Sequence, residues 1–311
     1  MKRGIVFCLT LAWSVTASMA PQPVAEAHAP WFPASVALPA GFRPEGIAIG
    51  SDPTAYLGSQ TDGSIYRANL ITGRGALLSR GPGTPAMGLA VDDRGRLFVA
   101  GGAAGDARVV DTRTGVVLAS YQLGTSPDAL VNDVILTPEG AWFTDSHTPV
   151  LYYLPFGSAG ELPPPEAIQR RPLIGEIRYL PNVFNANGVT RTPDGAGLII
   201  VQSATGRLFR IAPETGVTRE IDLGGASLRD GDGLYLRGST LFVVQNRTEA
   251  IAVVQLDSTG MTGTVLRHLT DPRFDVPTTV AEYAGRLYLP NARFTTPATP
   301  TTTYSVVAVP P

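Results

Sequence analysis

Six recurrences of one phrase predict an all-β chain folded as a six-bladed β-propeller with four-stranded antiparallel blades. The phrase is an apolar strand, a tight polar turn and a second apolar strand. It opens at Glu45, Met87, Asn132, Asn187, Asp232 and Thr278, and its spacings of 42, 45, 55, 45 and 46 residues suit four short strands with their turns. Composition agrees: the 34 Gly and 27 Pro supply turns, and a chain 44% hydrophobic and only 16% charged has ample material for a core.

Taken in order, the chain opens with Lys2 and Arg3, an apolar run over 4–15, and Ala17-Ser18-Met19-Ala20. That order reads as a secretory signal over 1–20, with cleavage as late as 29, and predicts export to the extracellular space or periplasm. The run is shorter than the ~20 residues a spanning helix needs, and no later segment is long and apolar enough, so no membrane span is expected. Cys8, the single cysteine, lies inside the signal. The mature chain would have none, which excludes disulfides and thiol catalysis. A net charge of −2 with scattered Lys and Arg offers no basic face for nucleic acid. A monomer acting on a small molecule is expected.

Residues 30–311 then form one propeller domain. The third repeat shows the blade pattern: Val131, Val134 and Leu136 on the first strand, Thr137-Pro138-Glu139-Gly140 as the turn, Ala141-Trp142-Phe143-Thr144 returning, and 150–154 as a third strand. A fourth strand is predicted at 174–180. The stretch 155–181, with Pro163-Pro164-Pro165, accounts for the long spacing and reads as a surface loop or as a rim that shapes a pocket. The last repeat supplies three strands, at 279–283, 286–289 and 304–309. The unassigned strand at 34–38 is expected to complete that blade and close the ring, removing an exposed edge.

In such a ring the residue opening each repeat shares a face with the loop after the second strand. Asn132 is therefore expected beside Asp145, Ser146 and His147, Asn187 beside Gln202 and Ser203, and Asp232 beside Asn246 and Arg247. Glu45, Asn132, Asn187 and Asp232 occupy one phase of four repeats, whereas Met87 and Thr278 open the other two. Two carboxylates and two amides converging on a channel make an all-oxygen set of net charge −2. Ca²⁺ suits it best among divalent ions, with Zn²⁺, Mn²⁺ and Mg²⁺ as alternatives. Asn and Asp also open strands simply because they favour turns, but a shared phase in four repeats argues for more.

Candidates for a general base on the same face are Asp232, Asp133, Asp145 and His147. His147 reads equally as a solvated loop residue, and His28 and His268 carry no functional reading. No G-x-S-x-G elbow supports a serine nucleophile. The sequon Asn246-Arg247-Thr248 is a glycan acceptor only in a eukaryotic pathway, and otherwise a chance match.

On Pro44-Glu45-Gly46, Val131-Asn132-Asp133, Ala186-Asn187-Gly188-Val189 and Gly231-Asp232-Gly233-Leu234, supported by Ala141-Trp142-Phe143-Thr144-Asp145-Ser146, the chain resembles the senescence-marker-protein/gluconolactonase/regucalcin-like propellers, with strictosidine-synthase-like relatives. The resemblance covers nearly the whole mature chain. It implies that Glu45, Asn132, Asn187 and Asp232 bind one catalytic divalent metal, commonly calcium or zinc, in a family of lactonases and some phosphotriesterases. The expected function is a metal-dependent hydrolase of the lactonase or esterase type, acting on a small lactone or ester at the channel mouth. A cyclase or isomerase of natural-product intermediates on the same metal, and a non-catalytic binding propeller, are the alternatives. Met87, Phe294 and several rim threonines lean toward a substrate less polar than a sugar.

Overall fold

A computed structural model describes Met1 and residues 32–311; the expected signal, its cleavage region, Cys8 and His28 lie outside the described residues. Residues 32–311 form six sheets, four of them built wholly from antiparallel neighbours in sequence order, as a propeller requires. Blade one runs through Pro44–Ile49, Thr54–Ser59, Ile65–Asn69 and Gly75–Ser79 from channel to rim. Among the described residues no helix is long and apolar enough to cross a membrane.

Each middle strand is apolar on both faces because it is sandwiched between two neighbouring blades. In Gly140–Asp145, Phe143 packs toward blade two and Trp142 toward blade four. Six hydrophobic clusters result, one at each blade-to-blade boundary. The tight turns owe their geometry to side-chain oxygens: Asp111 Oδ1 accepts the N–H groups of Arg113 and Thr114, and Asn69 Oδ1 those of Ile71 and Thr72.

The ring closes as the sequence predicts. Ser35–Leu38 pairs antiparallel with Tyr304–Val309, placing a strand from the start of the domain on the outside of blade six. Val36, only 2% exposed, joins the cluster that includes Phe42, Tyr304 and Val306. Val36→Asp buries an unpaired carboxylate at this closure, and a loss of about 3 kcal/mol or more is expected in urea unfolding.

Blade three departs from expectation. Its fourth strand is Gln169–Pro172, not 174–180. Ile174–Gly175 instead pairs in parallel with Val217–Glu220, as a fifth strand on blade four. The exposed Gln-Arg-Arg-Pro edge carries no apolar alternation, so nothing local marked it as the strand. The preceding loop does not shape the mouth. It laps back on blade two, where Pro163 O accepts the Tyr121 hydroxyl and Gly160 O accepts Arg96 Nη1.

A candidate metal centre at the channel mouth

The four oxygen-bearing residues sit at the second position of the inner strands, each on a β-bulge. The register breaks between Pro44 and Ile47, Val131 and Val134, Ala186 and Val189, and Gly231 and Leu234. Two residues of the inner strand there oppose one on its partner, which re-aims a side chain. Four matching bulges thus direct Glu45, Asn132, Asn187 and Asp232 into one cavity of about 430 Å³.

The residue after each of these is glycine in blades one, four and five because the next blade comes too close for a side chain. A Cβ on Gly46 would lie 2.1 Å from Met87 O, and one on Gly188 would lie 2.2 Å from Asp232 O. Blade three puts Asp133 there instead, and its carboxylate accepts the N–H of Val134 at 2.8 Å and of Val189, in blade four, at 2.9 Å. Gly188→Ala must push the Asp232 strand aside, so a loss of ~10-fold or more in cation affinity is expected by calorimetry, as when a ligand's supporting contacts are lost.

Main-chain oxygens around the ring are consumed by neighbouring blades. Thr278 Oγ1 donates to Glu45 O, Gly88 N–H to Asn132 O, and Thr144 Oγ1 to Asn187 O. The side-chain amides are tied back as well. Asn132 Nδ2 donates to Ser146 Oγ at 2.8 Å, and Asn187 Nδ2 to Ser203 Oγ at 3.1 Å. Those hydroxyls in turn donate to Ala186 O and Gly231 O on the next blade. With its nitrogen so fixed, each amide has its oxygen left for the cavity. Asn246 Nδ2 holds Asp232 Oδ2 at 2.7 Å.

Glu45 differs from the others. Its side chain is buried, at 5% exposure, yet accepts no hydrogen bond from the described residues. Burial first, then the charges of Asp232 and Asp133, hold its pKa well above the ordinary carboxylate value. Asp232 is pushed up to about 7 by burial, against the hydrogen bond from Asn246 and with the charge of Asp133 adding to the rise. Asp133 is raised to about 6 by burial, opposed by the Val189 and Val134 N–H groups. No ion pair among the described residues neutralises any of the three. Buried carboxylates left this way are stabilised by a cation. The described residues hold no cluster of three or more His, Cys, Asp and Glu suited to a metal, so a cation here needs the two amide oxygens. Hard oxygen donors of this kind fit calcium better than zinc.

The structure does not bring Asp145 and His147 to this cluster. Asp145 is fully buried, its Oδ1 accepting the N–H groups of Leu130, His147 and Thr148 and its Oδ2 the Tyr152 hydroxyl. It staples its own loop. His147 is exposed, with Nδ1 at 3.0 Å from Asp128 O and its ring against Phe184. His268 lies exposed on the outer strand Gly263–Thr270. Asn246 points into the mouth with its amide nitrogen on Asp232, so a glycan there would break that contact.

Sequence reasoning missed Phe184 and Arg43 at the mouth. Phe184 arrives by the crossing from blade three to blade four, which local patterning does not reveal. Arg43, Asp230 and Val276 each lie two residues ahead of a ring position, line the mouth, and adopt φ of 52°, 58° and 54°. For a β-branched residue such as Val276 that conformation is strained, and strain of this kind concentrates at functional sites.

No family model and no curated protein matches the chain. Solved structures do share its fold. The calcium-binding protein regucalcin from Agrobacterium tumefaciens superposes with a TM-score of 0.63 at 17% identity, covering 90% of this chain and 95% of that one. A luciferin-regenerating enzyme gives 0.61 at 14% identity, covering 88% and 93%. Virginiamycin B lyase from Staphylococcus aureus gives 0.58 at 16% identity, covering 82% and 80%.

Proposed function

We propose that the protein is an exported, cation-dependent hydrolase of the lactonase or esterase type, with Glu45, Asn132, Asn187 and Asp232 holding one divalent ion, Ca²⁺ foremost. The observation that carries the reading is the Glu45 carboxylate, buried and without a donor among the described residues, facing the same cavity as two anchored amides and a second raised carboxylate. Regucalcin, a calcium-binding protein on the same fold, supports it.

A cation held there supplies Lewis acidity toward an ester carbonyl and charge to offset a developing oxyanion. The chain's own residues do the rest. Asp232, with one oxygen fixed by Asn246 and its carboxylate on the cavity, is the group placed to take a proton from attacking water. Asn132 and Asn187 hold their oxygens in place through the serine relays, so little reorganisation is needed on binding. Asp133 braces blade three against blade four beneath the site.

A panel of lactones and esters assayed with Ca²⁺ and with excess chelator tests the reading. Turnover that chelator removes and Ca²⁺ restores is expected. Turnover indifferent to chelator contradicts the cation's role, and binding of the ion with no turnover of any member leaves a binding propeller.

A further inference from the structure

We infer that the mouth takes a lactone or ester bearing an aromatic or branched aliphatic substituent, held between Phe184 and Phe294, and not a polyhydroxylated ring; the inference rests on the hydrolase reading above. Phe184 and Phe294 are 50% and 45% exposed, although most other aromatic rings among the described residues are buried. Single exposed hydrophobes need no explanation, but these two come from distant loops and border the same two adjoining cavities. The first, of about 430 Å³, holds the oxygen cluster. The second, of about 340 Å³, extends over blades four to six, and Val276 contributes apolar wall to it. Behind Phe184 stands the His147 ring, 5.6 Å away between centroids, which limits how far it can swing.

Several polar groups at this end are already engaged. Asn187 donates to Ser203, Ser203 to Gly231 O and Asn246 to Asp232, while Glu249 accepts the Val276 N–H. Arg43 and Gln60 line the same cavity as Glu45, and neither side chain has a hydrogen-bond partner among the described residues. Two such groups are enough to hold one ester function. Phe184, Phe294, Val276, Met87 and Leu130 thus give apolar wall around the oxygen cluster, which matches a substrate with one reactive ester and one apolar arm. Apolar pockets discriminate such arms by ~10-fold or more.

Two measurements on the Ca²⁺-loaded protein test this. One is hydrolysis of γ-phenyl-γ-butyrolactone, γ-butyrolactone and glucono-δ-lactone; the other is calorimetric binding of γ-phenyl-γ-butyrolactam, which requires no turnover. The phenyl lactone is expected to show a KM about 10-fold below that of the unsubstituted ring. Phe184→Ala and Phe294→Ala should each erase most of that advantage and weaken the phenyl lactam similarly. Both side chains are exposed enough for these variants to fold. Preference for gluconolactone, or phenyl-ligand binding indifferent to both variants, overturns the inference while the hydrolase reading stands. Phenyl lactam binding that needs both rings, with no lactone hydrolysed, upholds the subsite and overturns the hydrolase reading.

Discussion

Replacing Glu45 with Gln, or Asp232 with Asn, is expected to lower kcat/KM by about 1000-fold or more, the scale of removing a cation that supplies several kcal/mol to a transition state. The same variants should make the metal-free protein more stable at pH 7. Both carboxylates are buried, both have raised pKa values, and neither is ion-paired among the described residues. Swapping a desolvated charge for a neutral amide of the same shape removes a folding cost, and a gain of about 1 kcal/mol or more in urea unfolding is expected. A residue present only for stability would show the reverse, with folding weakened and turnover lost in proportion. Loss of activity together with gain of metal-free stability is the signature of a ligand.

Stability of the metal-free protein should fall as pH rises from about 4 to about 7. Burial raises Glu45, Asp133 to about 6 and Asp232 to about 7. Across that window the folded chain holds protons that the unfolded chain has already released. Raising pH therefore favours unfolding, and the stability present below the unfolded carboxylate value is lost by the time the folded values are passed. A cation competes for the same oxygens, so its stabilisation should grow over this window. At a Ca²⁺ concentration 100 times Kd the gain is about 2.7 kcal/mol, which corresponds to about 5 °C in Tm for a domain of this size. Differential scanning fluorimetry at pH 4.5 and 7.5, with Ca²⁺ and with chelator, reads both trends. A Ca²⁺-induced shift as large at pH 4.5 as at 7.5 would place the ion away from these carboxylates.

How much of this was legible in the sequence follows from which interactions are periodic. The ring, its closing strand and the shared phase of Glu45, Asn132, Asn187 and Asp232 repeat every 42 to 55 residues, so a single chain displays them. Side-chain direction within a face does not repeat. Asp145 shares the rim with Asn132 but turns back onto its own loop's N–H groups, and the sequence holds no sign of that choice. Ile174–Gly175 is likewise decided by a parallel pairing with Val217 and Thr218, more than forty residues on, and not by its own pattern. Phe184 owes its place at the mouth to that same crossing, which is why the apolar side of the site was visible only in part, through Met87 and Phe294.

The most direct test of the account is calorimetric titration of Ca²⁺ into chelator-treated protein at pH 7.5, beside Glu45→Gln and Asp232→Asn. The account predicts one cation per wild-type chain, with affinity lowered ~100-fold or more in each variant, at least the loss seen when a supporting group around a metal is removed. A wild-type chain that takes up no divalent ion, or variants that bind as tightly as wild type, would contradict it.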